Sequence, residues 1–220
     1  MNARIFKKVA VQLGIDPPRN YGDLIYSFRY RSLLPEAIRK TAPSNKEWII
    51  EGAGDGKYKF ILVDKNRITP SLSIASINIL DNTPKIITKY LSSDEQALLT
   101  KIRYNRLIDL FLGQTCYSLQ NHLRTKVADI GQIEIDEVYI GIDSNGKEYI
   151  IPVQAKCGTD NLSVVQTKQD IAYCEKRYPK LICKPVSAHF ISAEKIALFE
   201  FSVQDNIIKI ERELHYTLVN

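Results

Sequence analysis

No run of about 18 apolar residues occurs in this chain, so no membrane-spanning helix is expected. No Gly-Lys-Ser/Thr follows Gly52-Ala53-Gly54-Asp55-Gly56, and no helix pattern opens there. That stretch is therefore a turn and not a phosphate cradle, and no nucleotide cofactor, ATPase or helicase is expected. Cysteine is sparse, and none of Cys116, Cys157, Cys174 and Cys183 stands in CxxC spacing. This argues against a zinc ribbon or a dithiol redox motif and leaves reduced, structural thiols. The opening MNARIFKKVAVQLGID lacks the apolar core and small-residue cleavage site of a secretory leader, so a cytoplasmic location is expected. Internal repeats and low-complexity tracts are also missing.

What remains is an ordinary globular composition, 45% hydrophobic and 25% charged, in 220 residues. That length suits one large domain or two small ones. The net charge is +5, and all of it sits at the start. Residues 1–42 carry eight basic groups against three acidic ones, and the rest of the chain is balanced. A basic first fifth suits a polyanionic partner as well as a solvated surface. Within it, YGDLIYSFRYRSLLPEAIRK (21–40) interleaves aromatics with Arg29, Arg31 and Arg39. Such a pattern suits stacking and phosphate contact, and equally an amphipathic helix with an aromatic core face.

The periodicity predicts a helix over 4–13, stopped by Asp16-Pro17-Pro18, and strands over 48–50 and 58–63. A helix is predicted from Ser92 or Ser93 to Leu112, closed by a left-handed Gly113. A second is predicted from Gln114 to Val127, with Cys116, Leu119, Leu123 and Val127 on one stripe and Gln120 at its edge. Strands follow over 132–142 and 148–156, a helix over 162–177, and strands near 181–191, 195–203 and 207–218. The fold class is α/β, a central mixed β-sheet flanked by helices, with an N-terminal α+β region over 1–92 and a core over 93–220.

The chemistry concentrates in GQIEIDEVYIGIDSNGKEYIIPVQAK (131–156). Glu134 and Asp136 share one face of the first strand, and Gln154 and Lys156 one face of the second. A two-residue turn at Asn145-Gly146 would put Asp136 and Gln154 on opposite faces. A three-residue loop Ser144-Asn145-Gly146, with Gly146 left-handed, pairs Asp143 with Lys147 and sets Asp136 opposite Gln154. In that register a carboxylate, an amide oxygen and an ammonium converge. These are groups that can hold a divalent cation and act on a phosphodiester.

An aspartate followed after 17 residues by Gln-x-Lys, on adjacent strands with a helix before and a helix after, resembles the PD-(D/E)XK nuclease superfamily. The likeness covers about residues 93–180. It implies a restriction-endonuclease-like core, with Asp136 as the motif aspartate, Gln154 at the acid position and Lys156 as the lysine. Two departures stand out: Ile135 occupies the proline position, and Gln154 lacks the usual charge. Glu134 is the expected source of that charge, which makes Asp136, Glu134 and Gln154 the candidate metal ligands. Replacing Gln154 by glutamate is then expected to preserve activity or lower the Mg²⁺ requirement. Gln169 and Tyr173 match a QxxxY element of the RecB-like branch and are candidate DNA contacts, with Arg29, Arg31 and Arg39. Gln120 is the candidate supporting residue from the preceding helix. The resemblance implies a Mg²⁺-dependent deoxyribonuclease (Mn²⁺ substituting) that cuts double-stranded DNA as a homodimer, in the manner of a type II restriction endonuclease. A non-catalytic DNA-binding protein and a repair or recombination nuclease are the alternatives.

Overall fold

A computed structural model describes residues 3–16, 20–30, 32–54, 56–64, 67–92, 94–127, 131–158, 162–205 and 207–220. Contacts divide the chain into two compact units that are not sequential. One comprises 1–68, 125–133 and 163–169, the other 69–124, 134–162 and 170–220.

The first unit begins with α1 (Ala3–Gln12), α2 (Tyr21–Tyr30) and α3 (Glu36–Arg39). The aromatic-basic stretch is thus two helices with Pro35 ahead of the second. The hairpin of β1 (Glu47–Gly52) and β2 (Tyr58–Val63) follows, its turn at the glycine-rich stretch, and then β3 (Arg67–Ile68). Ile25, Leu34 and Ile50 form a small buried core, with Phe6, Phe28, Trp48, Tyr58 and Phe60 packed against it.

The later elements are β4 (Ser76–Leu80), α4 (Lys85–Thr88), α5 (Glu95–Tyr104), α6 (Leu107–Leu112), β5 (Thr115–Val127), β6 (Gly131–Ile142), β7 (Glu148–Lys156), β8 (Leu162–Ser163), α7 (Val164–Arg177), β9 (Ile182–Cys183), β10 (Val186–Phe190), β11 (Lys195–Gln204) and β12 (Ile207–Val219). The main sheet has the order β4-β12-β11-β10-β7-β6-β5, and β9 also pairs with β7. Its β7–β10 and β12–β4 pairs are parallel and its β6–β7, β10–β11 and β11–β12 pairs antiparallel. The protein is therefore α/β with a mixed central sheet. Tyr139 of β6 and the odd-numbered side chains Tyr149, Ile151, Val153 and Ala155 of β7 join Leu98, Leu99, Ile102 and Phe111 of α5 and α6 in one core. All four cysteines are free thiols, and burial pushes the Cys116 thiol up to about 11.

Three local expectations are corrected. The N-cap of α5 is Asp94, whose carboxylate accepts the Ala97 N–H at 3.0 Å, and not Ser92; Ser93 lies outside the described residues. The expected single helix to Leu112 is two. Asn105 ends α5, and its buried side chain donates to Asp81 (3.0 Å) and Thr83 (3.2 Å) and accepts from the Asn82 N–H (2.7 Å). Arg106, at φ 48°, then turns the chain before Gly113 (φ 66°) closes α6 as expected. Finally, the helix expected over 114–127 is strand β5. His122 has φ 51°, and this break in the extended backbone lets Cys116, Leu123 and Val127 all be buried. A regular strand would put Cys116 and Leu123 on opposite faces, so the interruption mimics a helical period.

Gly141 of β6 marks a close approach. A Cβ there would lie 2.7 Å from Gln114 Nε2, 2.9 Å from Ile151 Cδ1 and 3.3 Å from Cys116 Sγ. Gly141→Ala is therefore expected to destabilise the protein by about 1–3 kcal/mol through overpacking. Chemical denaturation checks this, and an unchanged midpoint would show that the neighbours yield freely.

Candidate functional site

The loop between β6 and β7 decides which side chains meet. Ile142 stands opposite Glu148, the Asp143 N–H bonds Lys147 O at 3.1 Å, and the Gly146 N–H bonds Asp143 O at 3.0 Å. Gly146 has φ 77°, so the loop is Ser144-Asn145-Gly146, the three-residue form. The Asp143 carboxylate locks it by accepting from the Asn145 and Lys147 N–H groups and the Tyr149 hydroxyl. These bonds hold that carboxyl below the usual range, the Tyr149 bond foremost.

From this loop the ladder runs to the pair Glu137–Val153. One step further, the Asp136 carboxylate accepts the Ala155 N–H at 2.8 Å, so a side chain takes the place of a strand partner. Asp136 is half-buried. Desolvation is the main cause of its raised pKa, with Lys156 and the Ala155 N–H opposing and Glu134 and Glu95 adding to the rise. Gln154, 3% exposed, donates from Nε2 to Glu134 O at 2.8 Å and to Asp170 Oδ2 at 2.9 Å. Because a peptide carbonyl only accepts, the first bond identifies that end of the amide as the nitrogen.

Asp170 is the residue that reading the sequence missed. It lies on α7, fully buried, and its carboxyl is pushed well above the usual range by desolvation, with Asp136 adding to the rise and Gln154 and Lys156 opposing it. Gln154 and Lys156 thus share one face of β7, the Asp136 carboxylate reaches the Ala155 N–H between them, and Asp170 lies behind Gln154. Glu95, at the start of α5, is a second acid that the motif did not include. Its signal was the capped helix start, since acids favour the first turn.

The other candidates are placed differently. Glu134 pairs with Arg124 at 3.0 Å and His122 at 3.6 Å. Gln120, expected on the inner edge of a helix, is an exposed residue of β5. Gln169 is buried at 7% exposure, and Tyr173 is half-buried with its ring edge against Tyr178, centroids 6.4 Å apart. In the first unit, Arg29 donates to Ile50 O at 3.2 Å and Arg39 to Leu34 O at 2.9 Å. Arg31 lies outside the described residues.

Among the described residues no three His, Cys, Asp or Glu side chains are grouped to hold a metal. The donors at hand are the Asp136 carboxylate and the Gln154 amide, with the Glu134 carboxylate two residues along the strand. Magnesium takes one or two carboxylates and keeps several waters, so an all-oxygen set of this kind fits it. Among the described residues no helix is long and apolar enough to cross a membrane. Neither a family model, nor a curated protein, nor a solved structure matches the chain.

Proposed function

We propose that the chain is a metal-dependent endonuclease that hydrolyses phosphodiester bonds of double-stranded DNA and has a restriction-endonuclease-like core. The observation that carries this reading is the end of the β6–β7 ladder. There Asp136 is drawn out of water beside Lys156, next to a hydrogen-bonded Gln154. A desolvated carboxylate is costly unless a cation compensates it. Such a cost is more often met at working sites than in passive surface.

Asp136 and Gln154 would hold Mg²⁺ or Mn²⁺, and Glu134 would add charge from its place on the same strand. When bound, the cation polarises a phosphate oxygen and makes a water more acidic. The protein does the rest. Lys156 stabilises the negative charge that develops on the phosphate as the water oxygen bonds to phosphorus and the ester bond breaks. Asp170 and Glu134 O fix the Gln154 amide by accepting both of its N–H groups. Cutting both strands requires two such sites, which a homodimer supplies.

The test is plasmid DNA incubated with the protein and Mg²⁺, then with excess EDTA. Cleavage is expected with the metal and none without it. Undiminished cutting in EDTA would end the metal mechanism. Tight binding without cutting would favour the non-catalytic DNA-binding reading, for which the uncharged Gln154 and the Glu134–Arg124 pair speak. A repair or recombination nuclease would share the chemistry and differ in the DNA it prefers.

A further inference from the structure

The first unit holds a cleft of about 270 Å³. It is lined by Phe28 of α2, Leu33 and Leu34 of the following loop, Arg39 of α3, and Lys46, Glu47 and Trp48 leading into β1. Aromatic and charged groups meet here on a scaffold that fixes them in advance. The Trp48 indole donates from Nε1 to Thr41 Oγ1 at 2.9 Å, and its ring meets Phe60 edge-on at 6.1 Å. The Arg39 guanidinium is tied through Nε to Leu34 O, and Arg39 closes no ion pair among the described residues. Lys46 is paired with Asp64, which leaves Arg39 as the main positive charge of the cleft. Leu33, which also lines the cleft, is 57% exposed.

The volume lies below the 300–1,000 Å³ common for drug-sized ligands, so it suits one ring system and one attached group. Aromatic walls call for a flat ring, a held guanidinium for a phosphate, and the Glu47 carboxylate for an exocyclic amino donor. An acidic aromatic peptide side chain would supply the ring and the charge but no donor for Glu47. A nucleotide bearing an amino group supplies all three. We propose that this cleft receives a single nucleotide turned out of a DNA strand, its base against Phe28 and Trp48 and its phosphate on Arg39. The proposal rests on the nucleic-acid reading above and adds to it a class of substrate: DNA with an unpaired or easily extruded adenine, cytosine or guanine. The cost of extrusion is smallest where the base is already unpaired.

Trp48 is the only tryptophan of the chain, so its fluorescence reports on this cleft alone. The full-length protein is titrated with a fully paired duplex, with the same duplex carrying one unpaired cytosine, with one carrying an unpaired thymine, and with dCMP. The unpaired cytosine is expected to quench Trp48 and to raise affinity about tenfold over the paired duplex, within what one stacked base supplies. Thymine should gain less, and dCMP alone should bind far more weakly than the bulged duplex. Arg39→Ala should remove the preference for the bulge. Glu47→Ala, at an exposed position, should erase the difference between cytosine and thymine. Equal affinity for paired and bulged duplexes, or a preference that survives Arg39→Ala, overturns the proposal. So does dCMP binding as tightly as the bulged duplex, which would mark a free-nucleotide pocket. Cleavage measured on the same duplexes with Mg²⁺ separates the two readings. Preference without cleavage would sink the nuclease and leave this site standing, while cleavage without preference would sink only this site.

Discussion

Lys156→Ala is expected to lower the rate of DNA cleavage by roughly 10³-fold, the scale of losing one charge-stabilising or proton-handling group from an active site. DNA affinity should stay within a few-fold of wild type, because one half-buried ammonium supplies little of a DNA interface. Asp136→Asn should fall at least as far in rate, and it isolates charge from shape. An asparagine oxygen can still accept the Ala155 N–H that Asp136 takes at 2.8 Å, so the end of the ladder survives. The folded protein should even gain stability at neutral pH. Burial raises the Asp136 pKa, so the folded state holds the proton more tightly than the unfolded chain. Stability tied to that group is present below the ordinary carboxylate pKa and is lost as pH rises through the raised one. The neutral asparagine avoids that loss. Single-turnover cleavage and thermal melts on the same preparations check both halves. Wild-type turnover in either variant would mean that the site lies elsewhere.

The part of this site that was legible in the sequence is the part set by alternation and turn chemistry. Side chains two apart share a strand face, and a glycine at the third loop position selects the register. Asp136, Gln154 and Lys156 could therefore be placed together from Ile-Asp-Glu, Ser-Asn-Gly and Gln-Ala-Lys alone. The helices and strands after Glu148 followed from the same rules. What failed depended on backbone exceptions and on partners distant in sequence. The left-handed His122 shifts the phase of β5, so a strand carries a helical stripe, and the helix face expected to hold Gln120 does not exist. The break between α5 and α6 depends on Asp81 and Thr83, more than twenty residues upstream of Asn105. Asp170 was hidden for a related reason. Inside QDIAY it stands between the two residues that match a motif, and only the packing of α7 shows that it meets Gln154.

That contact reverses an expectation about Gln154. Considered as a charge, glutamate at this position restores the usual acid and should help a cation bind. Considered as a hydrogen-bonding group, it removes two donors. Gln154 Nε2 gives one N–H to Glu134 O at 2.8 Å and the other to Asp170 Oδ2 at 2.9 Å. A carboxylate would point an oxygen at a carbonyl and at a second carboxyl group, inside a site from which water is excluded. Leaving two buried acceptors unsatisfied costs about 3 kcal/mol, and for a chain of this size that corresponds to a fall of roughly 10 °C in Tm. Gln154→Glu is therefore expected to melt earlier at neutral pH whatever it does for metal affinity. The deficit should shrink on acidification, because the introduced carboxyl regains one donor when protonated, and the same surroundings raise its folded-state pKa. The second change that should repair it is Asp170→Asn, whose amide can donate to the introduced carboxylate where Asp170 accepted from Gln154. Thermal melts of both single variants and the double variant across pH, read as a double-mutant cycle, measure that coupling. A Gln154→Glu variant that melts with the wild type and cleaves at lower Mg²⁺ would show that the charge outweighs the hydrogen bonds. The two hydrogen bonds of the Gln154 amide would then contribute little to stability.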